Sequence, residues 1–292
     1  MPSPDDKPLR VCSFESRRGA EMKSLIERHG AIATIAPSMR EIPLTDNPAV
    51  FQFAEQLLAG SIDVVVFMTG VGATSLLESL ETRYPRDLIF AALEKVCVVV
   101  RGPKPTAVLR GWGVRIDYRA QEPNTWREIM SIFDPSIPLQ GRCVAVQEYG
   151  QPSVEFYHAL ATRGATVVPV PVYRWALPTD IEPLRAAIRQ TISGEFDLVM
   201  FTSAQQLHHV LEVAEEAGLR DQWLQAVHRD CLVASIGPTA TETLSAAGLQ
   251  VDIEPVHPNM GSLVKESIAA AETLLIAKKT AHHNRQAGQP ER

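Results

Sequence analysis

The chain repeats itself. Asp63-Val64-Val65-Val66-Phe67 returns as Asp197-Leu198-Val199-Met200-Phe201, an offset of 134 residues. Gly30-Ala31 and Pro37 return at the same offset as Gly164-Ala165 and Pro171. Gly102-Pro103 and Gly113 return at 135 as Gly237-Pro238 and Gly248. A repeat this long means two copies of one folding unit, about 9–118 and 142–253, with a connector at 119–141 and a C-terminal extension. The 292 residues agree with about two domains, so each copy can carry its own core.

Within each copy, short Val/Ile-rich runs alternate with helical patterns. Residues 9–14, 31–36, 62–68, 96–100 and 114–118 read as strands, with partners at 143–147, 166–170, 196–202, 231–236 and 251–254. The runs are mostly non-alternating, as in strands covered on both faces. Between them, 20–28, 74–82, 154–163, 205–217 and 239–247 carry apolar residues at i, i+3 and i+4. Gly30, Gly164, Gly218 and Gly248 mark helix ends. The alternation predicts an α/β fold of two similar lobes, each a doubly wound parallel sheet. Two segments break it at matching places, Ser38-Met-Arg-Glu-Ile-Pro-Leu44 and Val172-Tyr-Arg-Trp-Ala-Leu-Pro178. Both are extended and proline-flanked, and they read as paired connectors between the lobes. The polar tail from Lys278 reads as disordered, and His282-His283 within it as solvated.

Composition removes several classes of function. The net charge of −6 does not attract phosphate backbones or anionic membrane, so an anionic ligand needs a local site. Aromatics at 6% give little support to a platform of stacked rings. No apolar run approaches the roughly 20 residues of a membrane span. The opening MPSPDDKPLR is acidic and proline-rich, unlike a secretory signal. Cys12, Cys97, Cys143 and Cys231 sit in or beside apolar runs without metal-ligand spacing, and they read as reduced, buried thiols of a cytoplasmic protein.

Open α/β sheets bind ligands at the C-terminal ends of their strands. In the second copy these ends read Phe201-Thr202-Ser203 and Ile236-Gly237-Pro238-Thr239, each opening a helix. Hydroxyls and free N–H groups there suit an anion, although Ser203 and Thr239 could equally be helix caps. The first copy offers Phe67-Met-Thr-Gly-Val-Gly72 and Arg101-Gly-Pro-Lys-Pro-Thr106. Gly70-x-Gly72 is two-thirds of a dinucleotide fingerprint, with Ser75 in place of the third glycine, and an oxidoreductase stays open as a distant reading. His208-His209 read as helix surface or packing. Glu15 and Glu148 stand at strand ends as a possible pair of carboxylates.

Taken together, Asp197-Leu-Val-Met-Phe-Thr-Ser203, Ala234-Ser-Ile-Gly-Pro-Thr239 and Gly164-Ala-Thr-Val-Val-Pro-Val-Pro-Val-Tyr-Arg174 resemble the uroporphyrinogen-III synthase family, over about Leu9 to Ala277. The resemblance implies two α/β lobes joined by a two-stranded ladder, with the active-site cleft between them. One lobe would be discontinuous, 9–38 plus 178–277, and the other 47–170. The ladder would be 39–46 and 171–177, with the tail at 278–292.

The implied reaction closes hydroxymethylbilane, a linear tetrapyrrole, to uroporphyrinogen III and water. Loss of the terminal hydroxyl gives an azafulvene, which attacks the substituted carbon of the last pyrrole. The spiro intermediate fragments and recloses with that ring inverted. No metal or organic cofactor is implied, and we expect a monomer without nucleic-acid or membrane partners. Tyr173 matches the family's ladder tyrosine, which assists departure of the hydroxyl. Thr202, Ser203, Gly237, Pro238 and Thr239 match substrate-binding strand ends. Thr69, Gly70, Arg101 and Lys104 match the corresponding slots of the other lobe, and Arg17 or Arg18 falls near the arginine that follows the first strand. Met68-Thr-Gly-Val-Gly72 and Ala240 depart from the family's usual hydroxyl-bearing residues. They keep open a non-catalytic, tetrapyrrole-binding sensor of the same fold.

Overall fold

A computed structural model describes residues 7–44 and 47–287. The strands are β1 (Arg10–Ser13), β2 (Ile32–Ile35), β3 (Arg40–Pro43), β4 (Val64–Phe67), β5 (Cys97–Val100), β6 (Tyr118–Arg119), β7 (Cys143–Gln147), β8 (Thr166–Val170), β9 (Tyr173–Ala176), β10 (Leu198–Phe201) and β11 (Leu232–Ser235). The helices are α1 (Gly19–Arg28), α2 (Pro48–Leu58), α3 (Gly70–Glu81), α4 (Arg86–Leu93), α5 (Pro103–Gly111), α6 (Trp126–Ser136), α7 (Val154–Thr162), α8 (Glu182–Ile192), α9 (Ala204–Glu216), α10 (Arg220–Asp230), α11 (Pro238–Ala246) and α12 (Met260–Ala287).

The chain divides into two units. Unit 1 is Met1–Arg40 with Leu177–Arg292, and unit 2 is Glu41–Ala176. Unit 1 carries a parallel sheet in the order β11-β10-β1-β2, and unit 2 a parallel sheet in the order β6-β5-β4-β7-β8. The fold class is α/β, as the alternation predicts. β3 and β9 form a separate two-stranded sheet. It runs antiparallel, because Leu44 N donates to Val172 O while Arg40 Nε donates to Leu177 O.

The central strands explain why these runs fold as they do. Every residue of Val-Val-Val-Phe in β4 and Leu-Val-Met-Phe in β10 is buried. Side chains alternate between faces. Val65 and Phe67 therefore join one apolar cluster and Val64 and Val66 another. In unit 1, Val199 and Phe201 separate in the same way from Leu198 and Met200. Each such side chain contributes about 1.5–3 kcal/mol by leaving water. The four helix-stop glycines all have positive φ, between 66° and 84°.

Three expectations change. The strand expected at 114–118 shrinks to the two residues of β6, and the one at 251–254 to a single bridge between Ala234 and Ile253. Both are sheet edges. There Asp117 and Asp252 turn their carboxylates onto Val98 N and Val233 N, each at 2.8 Å, and so take donors a longer strand would have paired. The tail does not become disordered at Lys278: α12 continues to Ala287, and Lys278 Nζ donates to Cys231 O at 2.6 Å. Residues 288–292 lie outside the described residues. Among the described residues, no helix is long and apolar enough to cross a membrane.

Candidate active site

The C-terminal edge of the unit 2 sheet gathers about half of the chemistry-bearing side chains. β4 runs into Thr69, which caps α3 by accepting from Gly72 N at 3.0 Å. The Thr69 hydroxyl also lies 3.4 Å from the Tyr173 hydroxyl, which β9 supplies. Tyr173 is 2% exposed, its ring set edge-on to Trp175 with centroids 5.1 Å apart. Trp175 in turn holds the loop after β7, donating from Nε1 to Tyr149 O at 2.9 Å. The indole rests where a Cβ of Gly150 would stand, at φ +94°, so this turn admits only glycine.

Arg101 follows β5. Its guanidinium sits 5.1 Å from the centre of the Tyr149 ring and is only partly exposed. Among the described residues its side chain has neither an ion pair nor a hydrogen bond to the chain. Burial pulls its pKa below the usual value, opposed by Tyr149 and Tyr173. It nonetheless stays charged at neutral pH. A cation in such a place lacks its counter-charge. Lys104 is exposed in the first turn of α5.

Gln147, the last residue of β7, was not singled out by sequence. Its Oε1 accepts from Met68 N and Thr69 N, both at 3.2 Å, and its Nε2 donates to Glu148 O. Gly72 exists for this contact, since a Cβ there would lie 1.9 Å from Gln147 Nε2. The Gly70-x-Gly72 spacing thus accommodates a buried amide side chain, and the space a pyrophosphate would need is filled. The dinucleotide reading fails on this point.

The matching edge of unit 1 is closed differently. Thr202 donates its hydroxyl to Glu15 and accepts from Gln206 Nε2 at 2.8 Å, while Thr202 N donates to Gln206 Oε1 at 2.7 Å. Its hydroxyl is therefore engaged within the chain. Ser203 and Thr239 are not: neither makes a side-chain cap to its helix, and among the described residues neither hydroxyl has a partner. Gly237 takes the cap position of α11 and Pro238 begins that helix, so proline removes one of its first N–H donors. Arg17 is exposed before α1. Of the two adjacent histidines, His208 is exposed, while His209 is buried against Ser38 O at 2.7 Å. Among the described residues, no cluster of three His, Cys, Asp or Glu could hold a metal.

The sequence matches the family described as uroporphyrinogen-III synthase HemD over residues 20–265. The chain belongs to the uroporphyrinogen-III synthase family. A relative from Bacillus subtilis (strain 168), the uncharacterized protein YjjA, is 26% identical over 260 residues, covering 88% of this chain and 94% of that one. A Methanothermobacter thermautotrophicus protein, provisionally named uroporphyrinogen-III synthase, is 28% identical over 253 residues, covering 87% and 93%. The crystal structure of a mutant uroporphyrinogen III synthase from the extremely thermophilic bacterium Thermus thermophilus shares the fold at a TM-score of 0.70 and 24% identity, covering 91% of this chain and 99% of that one.

Residues 68–72 follow β4, and residues 101–104 follow β5. Sequence reasoning missed Gln147, Gln206 and Tyr157. The one available signal was the double glycine, which marks a site that a bulky neighbour must enter.

Proposed function

We propose that this protein is a uroporphyrinogen-III synthase, converting hydroxymethylbilane to uroporphyrinogen III and water. Membership of the family and its fold supports the reading at the level of class. The observation that carries it further is Arg101, a partly buried cation beside Tyr149 and Tyr173 with no carboxylate partner among the described residues. The substrate bears many carboxylates, and one of them supplies the missing counter-charge. The unengaged hydroxyls of Ser203 and Thr239, with the N–H groups at the starts of α9 and α11, take others. Gly70, Lys104, Gly237, Pro238 and Arg17 belong to the same binding role.

Tyr173 is the acid. A phenol with pKa about 10 keeps its proton at pH 7 and can deliver it to a departing hydroxyl. Its ring is packed in the unit 2 core, so a ligand meets it at the hydroxyl end, beside Thr69. The rest of the work is geometric: holding a bent chain so that closure occurs with inversion. The reading requires no metal, organic cofactor or second subunit.

A second reading, a tetrapyrrole-binding sensor, draws on the 2% exposure of Tyr173 and on the engagement of Thr202 with Glu15. A coupled assay with freshly made hydroxymethylbilane separates the two. We expect the type III isomer. Binding with only the spontaneous type I product would leave the sensor.

A further inference from the structure

Loss of water from the substrate needs a proton acceptor as well as Tyr173. Glu148 lies where β7 ends, in the same strand-end group. It is 6% exposed, and one carboxylate oxygen accepts from Tyr157 on α7 at 2.7 Å. Among the described residues the other oxygen takes no hydrogen bond. The matched carboxylate of unit 1, Glu15, is saturated: one oxygen accepts from Arg18 N and the other from Thr202. Of the two, only Glu148 keeps an oxygen for a donor from outside the chain.

We propose that Glu148 is the base of this site, accepting the pyrrole N–H proton of the substrate while Tyr157 holds its carboxylate in place. The proposal rests on the synthase reading above. As the step begins, the N–H bond breaks and its proton passes to Glu148. The electron pair forms the exocyclic C=C bond of the azafulvene. The C–O bond breaks, and the hydroxyl takes the Tyr173 proton and leaves as water. When the azafulvene is attacked, Glu148 returns its proton to the same nitrogen. The C–H proton lost on final closure restores Tyr173. Protons and charge balance over the cycle.

The surroundings suit a base. Burial pushes the Glu148 pKa up, towards that of a useful acceptor, and the Tyr157 hydrogen bond holds it down. The titratable groups facing it are Tyr157 from α7 and its chain neighbour Tyr149. β8 meets it through the carbonyl of Val170.

Two variants test the proposal in the whole chain. Glu148→Gln keeps an acceptor for Tyr157 and removes the basic oxygen. Turnover should fall by about 10²–10⁴-fold with KM unchanged. The urea midpoint at pH 7 should not fall, because a buried charge has been removed. Tyr157→Phe should move the acid limb of the kcat–pH profile to higher pH, and it decides the matter if Glu148→Gln does not fold. A fully active Glu148→Gln protein, or an unmoved limb in Tyr157→Phe, overturns the base and leaves the synthase standing. A wild-type protein that forms no type III isomer removes both.

Discussion

The two units do the same thing at the N-terminal ends of their strands and different things at the C-terminal ends. At the N-terminal ends, Asp63 accepts from Cys143 N at 2.8 Å and from Arg142 at 2.7 Å, while Asp197 accepts from Arg10 N and the Arg10 guanidinium, each within 3.0 Å. Asp117 and Asp252 repeat a second contact at equal distance. At the C-terminal ends the pieces are exchanged. Unit 1 puts Gln206 on its helix and Phe14 directly after β1, beside Phe201 as Gln147 stands beside Phe67. Unit 2 puts Gly72 and Gln147 at those places. Both glutamines satisfy the N–H at the same point of the repeat, Thr202 N or Met68 N, but from opposite sides. The acids that repeat are structural. The edges that differ are the ones that carry the candidate site residues.

The largest effect should come from the unit 2 edge. Tyr173→Phe keeps the ring and removes the donor, so the protein should fold while type III turnover drops about 10²–10⁴-fold. Type I product should rise in the same assay. Full type III turnover would end the acid role and make the two edges chemically alike.

Next in size is the exchange itself. Gly72→Ala forces Gln147 aside and strands two N–H groups. It should cost about 2–4 kcal/mol, read from the urea midpoint. An unchanged midpoint would mean that the glutamine is dispensable.

The structural acids should show smaller effects of one form. The Cys143 N–H, then Arg142, hold Asp63 below the usual carboxylate range. Its stabilising contribution is therefore present above the unfolded value of about 3.9 and is lost as pH falls through the lower folded value. Asp63→Asn should flatten stability against pH in that window, read from urea midpoints at several pH values. At pH 7, Asp197→Asn should lower the midpoint as Asp63→Asn does, because each strands a backbone N–H and an arginine. An unchanged midpoint in one of them would break the match between the N-terminal ends.

The smallest change is expected at Gly237→Ala. Its Cβ would meet only Pro258, at 3.3 Å. Gly237 is buried, but only this one contact must give, so a loss below the roughly 1–3 kcal/mol of forced overpacking is expected. A larger loss would bring the two C-terminal edges closer in character than they look.

Much of the fold was legible because it is written in local patterns. The buried runs of β4 and β10, the glycine stops and the matched connectors at 38–44 and 172–178 all announce themselves within a few residues. Less of the site was legible. Thr69 and Arg101 could be picked out as strand ends, but Gln147 contacts Thr69 across 78 residues, and Thr202 reaches Glu15 across 187. Whether a hydroxyl is open or engaged depends on such distant partners. Ser203 and Thr202 are adjacent in the chain, and only the former is open. The edge strands were over-read because an aspartate side chain can replace a ladder bond, and a periodic pattern does not record that.

Unit 1 is interrupted by the whole of unit 2, and this bears on how the protein is made. β1 pairs with β10, and the Arg10–Asp197 contact closes a separation of 187 residues. During synthesis β1 emerges first and must wait. Unit 2 is continuous and can complete itself meanwhile. Once β3 and β9 have paired, Arg40 and Leu177 are within hydrogen-bonding distance. The loop still to be closed then shortens to about 50 residues, a saving of about 1 kcal/mol in closure entropy. The inserted unit thus acts as a clasp for its host, and the last strands off the ribosome meet a partner already brought near.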